Sequence, residues 1–264
     1  MCGISAVYGK NAPLKSMVII LNQLERGRLG SGVAYICNNK IRIVKEPIDP
    51  VVFFDKNLNK INVNTHVAIA HNRMPSAGQV AYRNTHPFLA CSEDFALAHN
   101  GHCFVTHLRN YIKQLGHNVQ GETDSEILTH ILEELYMEHK DMLRAIGELT
   151  VNYLLGSIVV LTKEGYLYAS KSGHYPLFYA LTEEEIYIGS TQKALKALLN
   201  ILSIKDYEII EVKNNEAIEI KNGYIEHYII ELPKKSNKIP YYYNYNKVNN
   251  ARDWKDWLEW FYYF

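Results

Sequence analysis

Hydrophobic and polar positions divide the chain into short segments of two periods. CGISAVYG at the start reads as a buried strand. Residues 14–26 (LKSMVIILNQLER) carry apolar groups at helical spacing, and Gly27 follows as a stop signal. VAYICNN and IRIVKE form a predicted hairpin around Asn38-Asn39, and HVAIAHNR is a strand running into a Gly/Pro/Asn-containing connection that lasts to Pro87. FALAHNG is a strand ending in a turn. HLRNYIKQLG and SEILTHILEELYMEH are amphipathic helices, the first closed by Gly116 and the second opened by the acidic, cap-rich GETDSE.

Beyond residue 150 the pattern turns to β. YLLGSIVVLT, GYLYASK, PLFYALT and EIYIGST read as short strands, and TQKALKALLNIL as a helix. EIIEVKNNEAIEIKNGYIEHYII contains two turn signals, Asn214-Asn215 and Asn222-Gly223. Many antiparallel strands with helices grouped between them give an α+β class rather than alternating βαβ units. The predicted boundaries are a domain over 2–232 and an aromatic-rich C-terminal arm with a short helix over 233–264. Eleven of the 31 aromatic residues fall in the last 24 positions, and Trp254, Trp257, Leu258 and Phe261 share one helical face.

Composition narrows the function classes. With 28 basic and 28 acidic residues there is no global field for nucleic acid or an anionic membrane. The N-terminus lacks the charged start and apolar run of a signal peptide, and no stretch approaches the roughly 20 apolar residues that span a bilayer. The four cysteines (Cys2, Cys37, Cys91, Cys103) are scattered without a CxxC pair, which argues against a disulfide framework and a cysteine zinc site. A reducing, cytoplasmic location follows as the expectation, with no metal and no cofactor.

Cys2 has a particular chemical option. Removal of Met1 leaves a thiol and a free α-amine on one residue, and an amine titrating near about 7.7–8.0 can serve as base for its own thiol. Position alone favours the plainer reading, a small apolar residue opening a strand. Five further segments change that balance: ERGRLGSGVAY, HNRMPSAG, NTHPF, LAHNGH and GETDSE. Together with MCGI, in this order and spacing, they resemble the class II glutamine amidotransferases, which are N-terminal-nucleophile hydrolases. The resemblance covers roughly residues 2–195 and implies a four-layer αββα sandwich with the nucleophile at a strand edge.

Carried over residue by residue, the resemblance implies Cys2 as nucleophile and Asn100 with Gly101 as the oxyanion hole. It implies that Arg73 pairs with the α-carboxylate of glutamine, for which a planar guanidinium fork is suited. Asp124 is implied to hold the α-ammonium, leaving helix capping to Thr123 and Ser125. Ser76 falls where a hydroxyl contacts substrate, and His86 matches a histidine near the pocket. Arg26 and Gly27 match a pair that supports the N-terminal strand. Departures are Leu29, where aspartate is common, and Met74 and Ala77, which differ from the aromatic and histidine of the sugar-phosphate enzymes.

No run for phosphoribosyl or nucleotide phosphate binding is present. The expectation is therefore a glutaminase that releases ammonia to a separate synthase subunit, with the aromatic C-terminus docking on that subunit or on a second copy. Two alternatives stay open: hydrolysis of another γ-glutamyl amide, and a non-catalytic scaffold with the same fold.

Overall fold

The computed structural model describes residues 1–230. The aromatic arm and short helix expected over 233–264 lie outside the described residues.

Two antiparallel sheets form the centre. The first has seven strands in the order β11(Glu208–Glu211), β9(Phe178–Leu181), β10(Ile186–Gly189), β1(Gly3–Tyr8), β4(Val67–Asn72), β2(Ser31–Cys37), β3(Lys40–Glu46). The second has six: β13(Tyr224–Ile229), β12(Glu216–Lys221), β8(Leu167–Ser172), β7(Gly156–Thr162), β6(Phe95–Gly101), β5(Phe88–Leu89). Side chains alternate across each strand, so each sheet presents two faces. Ile4, Ala6, Ala34 and Ile69 of the first sheet pack on Ala96, Ala98, Val159 and Ile218 of the second. The many alanines let the two sheets approach closely.

The opposite face of the first sheet sends Val7, Val33, Ala68 and Tyr187 against α1(Ala12–Leu21), α2(Pro50–Asn57) and α6(Gln192–Ile201). The outer face of the second sheet is covered by α4(Asp124–His139) and α5(Met142–Asn152), with α3(Arg109–Gln114) beside α4. The layers are thus helix, sheet, sheet, helix, the expected αββα sandwich. Among the described residues no helix is long and apolar enough to cross a membrane.

The local chemistry explains most elements. Asn38 and Asn39 take φ of 54° and 56°, and Asn222 and Gly223 take 53° and 83°, the left-handed pairs that a two-residue hairpin turn needs. Thr123 caps α4 by accepting from Glu126 N–H at 3.4 Å, which leaves Asp124 as the first helical residue. The helix expected over 14–26 is shorter than the pattern suggests. It ends at Leu21, and Leu24–Arg26 form a separate 3-10 turn. Gly27 is not a left-handed stop: its φ is 177°, and a Cβ there would lie 2.4 Å from the Arg73 carbonyl carbon. Close approach, not turn geometry, demands glycine. Asn214-Asn215 is a turn as expected, with Asn215 at φ 56°, and it joins strands of different sheets, β11 and β12, rather than closing a hairpin.

Candidate active site

Strand order brings the chemistry together. β1 lies between β10 and β4, and its first residue pairs with the last of β4 (Gly3 with Asn72), so Cys2 emerges beside Arg73. β6 of the other sheet ends in Asn100 and Gly101, paired with Ser157 and Gly156 of β7. The N-terminus of α4 adds Asp124. A narrow cavity of ≈ 20 Å³ is lined by Cys2, Arg73, Ser76, His86, Gly101 and Asp124, together with Met74, Ala77, His99, Thr123 and Ser125. A wider depression of ≈ 480 Å³ lies at the other end of β1, around Tyr8, Cys37 and His66, and holds none of the candidate catalytic or substrate-binding residues.

Around Cys2 the contacts are specific. Its backbone N–H donates to Asn100 Oδ1 at 3.0 Å, and Arg26 Nε donates to its carbonyl at 2.8 Å. The Met74 backbone N–H points at Cys2 Sγ from 3.4 Å. Burial pushes the Cys2 thiol above its ordinary value. The Met74 N–H, the terminal ammonium, Arg73 and Arg26 pull the other way without overcoming that cost. With Met1 in place the thiol is therefore held protonated at neutral pH.

Arg73 is buried, and its guanidinium faces backbone carbonyls of its own loop. It donates to Gln79 O at 2.9 Å and Ala77 O at 2.5 Å. Gly27 packs against the Arg73 backbone, and Gly30 O accepts from Arg73 N–H at 2.7 Å, so the RGRLG segment fixes where this arginine starts. Leu29 is half exposed and gives only its backbone N–H to Arg73 O at 3.0 Å, so nothing buried depends on its side chain.

Asp124 is buried and accepts from Cys103 N–H at 2.6 Å and Ser125 N–H at 2.9 Å. Gly101 admits no side chain: a Cβ would meet Leu155 O at 2.2 Å and His99 Nε2 at 2.5 Å.

Three buried histidines back the cavity. His71 stacks on His86 with centroids 3.9 Å apart and shares Nε2 with His99 O at 3.2 Å. Among the described residues neither ring nitrogen of His86 has a hydrogen-bond partner. Burial lowers the basicity of His71 to about 3 and that of His86 well below its ordinary value, so both rings are neutral. His99 bonds Ser125 Oγ at 3.0 Å and lies 3.5 Å from Cys103 Sγ. His99, Cys103 and Asp124 are close enough to chelate an ion, with donor atoms within 4.8 Å. Burial drives the Cys103 thiol far up, however, and Asp124 is already engaged by backbone donors.

Sequence reasoning missed His71, His99 and Cys103, and it read Met74 only as a departure. The backbone of Met74 faces the thiol, so its side chain carried no signal. HNR and LAHNGH did contain both histidines, but alternation alone does not say which histidine faces a pocket.

The sequence profile described as "Glutamine amidotransferases class-II" matches residues 20–173. The chain belongs to the class II glutamine amidotransferases. These are enzymes of the N-terminal-nucleophile hydrolase group. Similar proteins include the glutamine–fructose-6-phosphate aminotransferase of Thermotoga maritima, 33% identical over 148 residues, covering 55% of this chain and 24% of the relative. That of Sulfolobus acidocaldarius is 31% identical over 220 residues, covering 79% and 36% respectively. The chain thus spans between about a quarter and a third of these relatives' length. The fold matches glutamine phosphoribosylpyrophosphate amidotransferase from B. subtilis with TM-score 0.72 at 20% identity, covering 87% of this chain and 49% of that one. It also matches a glutamine aminotransferase class-II domain protein from Silicibacter pomeroyi with TM-score 0.57 at 18% identity, covering 87% of this chain and all of that one.

Proposed function

We propose that this domain hydrolyses L-glutamine to glutamate and ammonia through a thioester on Cys2, once Met1 is removed. One observation carries the reading: Cys2, Gly101, Arg73 and Asp124 line the same cavity while Asn100 Oδ1 holds the nitrogen of Cys2 at 3.0 Å. After Met1 is removed that nitrogen is an amine, the base that takes the thiol proton. The thiolate attacks the carboxamide carbon, and Asn100 Nδ2 with the Gly101 N–H receives the negative oxygen. The C–N bond breaks as the ammonium returns the proton to the leaving nitrogen. Water, deprotonated by the same amine, then cleaves the thioester and restores the thiol.

Arg73 and Asp124 supply opposite charges for the carboxylate and ammonium of the amino acid, with Ser76 and His86 as neutral hydrogen-bonding groups beside them. A cavity of ≈ 20 Å³ holds about one water molecule. Admission of glutamine therefore requires residues 74–80, which Arg73 ties down, to move outward.

The names of the aminotransferase relatives support a use for the ammonia in a synthase, which we place on a partner. Residues 2–232 then form the glutaminase domain, and the aromatic segment 233–264 docks that partner or a second copy in the cytoplasm. Incubation of Met1-free protein with 6-diazo-5-oxonorleucine tests the core of this reading. Covalent labelling at Cys2, abolished in Cys2→Ala and absent from protein that retains Met1, is expected. Labelling that survives Cys2→Ala overturns it.

A further inference from the structure

Away from the cavity, three segments distant in sequence meet in a second cluster. Cys91 sits in the turn between β5 and β6, His117 in the connection between α3 and α4, and His130 and Glu133 on α4. One donor atom from each lies within 4.8 Å of the others. Glu133 Oε2 is 3.2 Å from His117 Nδ1 and 3.3 Å from His130 Nδ1. Cys91 Sγ is 3.8 Å from His130 Nδ1. Ligands held tetrahedrally at the usual zinc–nitrogen, –oxygen and –sulfur distances stand roughly 3.3–3.8 Å apart. These contacts have that spacing.

We propose that Cys91, His117, His130 and Glu133 form a structural zinc site. The surroundings of each donor fit. His117 Nε2 lies 2.8 Å from Glu134 Oε1, so a carboxylate holds the far side of the ring while Nδ1 faces the cluster. The Asn118 N–H donates to Cys91 Sγ at 3.3 Å, which fixes the sulfur beside the other three donors. One thiolate and one carboxylate balance the two charges of the ion, and the imidazoles bind neutral. Zinc takes the Cys91 sulfur as thiolate, so its entry displaces the thiol proton to solvent. Four protein donors leave no open position for substrate, which makes the site structural rather than catalytic. His130 and Glu133 are buried, whereas Cys91 is exposed and gives the ion a way in.

The scattered cysteines gave no hint of this, because three of the four ligands are not cysteines. Only His130 and Glu133, three apart on one helix, share a local pattern. The ion ties the 115–123 connection and the β5–β6 turn to α4. His130 lies six residues from Asp124, about 9 Å along the helix, so the clip stiffens the element that carries Asp124 to the cavity.

A metal-free hydrogen-bonded cluster is the competing account. There the two imidazoles and the N–H groups of Cys91 and Ser92, at 3.0 and 2.6 Å, simply converge on Glu133. It predicts no thiolate. The full chain, stripped with chelator, is titrated with Zn²⁺ and separately with Co²⁺. Expected are one equivalent of zinc, a tetrahedral cobalt spectrum with a thiolate charge-transfer band, and a rise in Tm on zinc addition. Cys91→Ser removes the charge-transfer band and the Tm rise. Cys37→Ser and Cys2→Ala keep both. Glu134→Gln, which leaves all four ligands, weakens zinc binding by about 10–100-fold. No stoichiometric zinc, or a charge-transfer band that survives Cys91→Ser, overturns the proposal. These readouts do not involve glutamine, so they stand or fall apart from the glutaminase assignment.

Discussion

Asn100 Oδ1 accepts the backbone N–H of Cys2 at 3.0 Å, a bond between the penultimate residue of β6 in one sheet and the residue just before β1 in the other. It decides which way the Asn100 amide faces. With Oδ1 committed to Cys2, the NH2 group must point elsewhere, and Ser157 Oγ takes only a long contact at 3.5 Å. A donor is left for an oxyanion. Asn100→Asp keeps the acceptor, removes the donor and adds a negative charge beside the developing one. We expect kcat for ammonia release to fall by about 10²–10³ with little change in KM. A kcat within about threefold of the native enzyme would remove Asn100 from the oxyanion role.

Arg73 distinguishes a substrate clamp from a loop clamp. In the structure it does the second, through the carbonyls of Ala77 and Gln79. If it also reads the α-carboxylate of glutamine, Arg73→Lys loses the planar fork while keeping the charge. Hydrogen bonds to a charged group are worth about 1.5–3 kcal/mol, so KM should rise by about 10–100-fold. Steady-state kinetics against thermal denaturation separates the cases. A lower Tm with unchanged KM would confine the arginine to holding its loop.

How much of this was legible beforehand depended on whether a signal was local. The Asn38-Asn39 and Asn222-Gly223 turns could be read because a left-handed pair is a property of two residues. The central strands read as short apolar runs bounded by turn residues, and the αββα layering followed from the family resemblance. α2 went unread despite Asp49 and Pro50, whose cap at Val51 N–H (2.8 Å) is a legible start. α5 was hidden because Thr150 and Val151 are β-branched and run straight toward β7, although Met142, Ala145, Ile146 and Leu149 lie on one buried face. The candidate site residues came from motifs, but their geometry did not. The stack of His71 on His86, and Met74 at the thiol, join residues brought together only by tertiary packing.

Gly101 is required by space rather than by its φ. A Cβ placed there would lie 2.2–2.6 Å from Leu155 O, His99 Nε2 and Gly156 Cα, and two of those three are backbone that cannot rotate aside. Gly101→Ala must spread β6 from β7 at the end that holds Asn100. Overpacking of this kind costs about 1–3 kcal/mol. Urea denaturation should show that loss, and glutaminase activity should fall further than stability does, since the oxyanion donors move with the strand. An alanine variant with native Tm and activity would show that the strand end relaxes freely.

The stacked pair His71 and His86 gives the fold a distinct pH dependence. Both are buried and neutral, with His71 lowered from 6.5 to about 3 and His86 lowered well below 6.5. As pH falls through the ordinary histidine range the unfolded chain takes up protons that the folded chain refuses. Stability is therefore full above about pH 6.5 and declines below it, by about 1.4 kcal/mol per pH unit for each such histidine. Between about pH 6 and pH 5 most carboxylates are still ionised, so the slope comes from the histidines whose basicity desolvation lowers: these two, together with His99 and His107. His71→Phe keeps a flat ring against His86 but removes one titrating group. It also strips the His99 carbonyl of its donor and lowers stability at every pH. The informative quantity is hence the slope: the variant should lose about one proton's worth relative to the native chain. Equal slopes would mean that His71 becomes charged without unfolding the protein, against the burial that surrounds it.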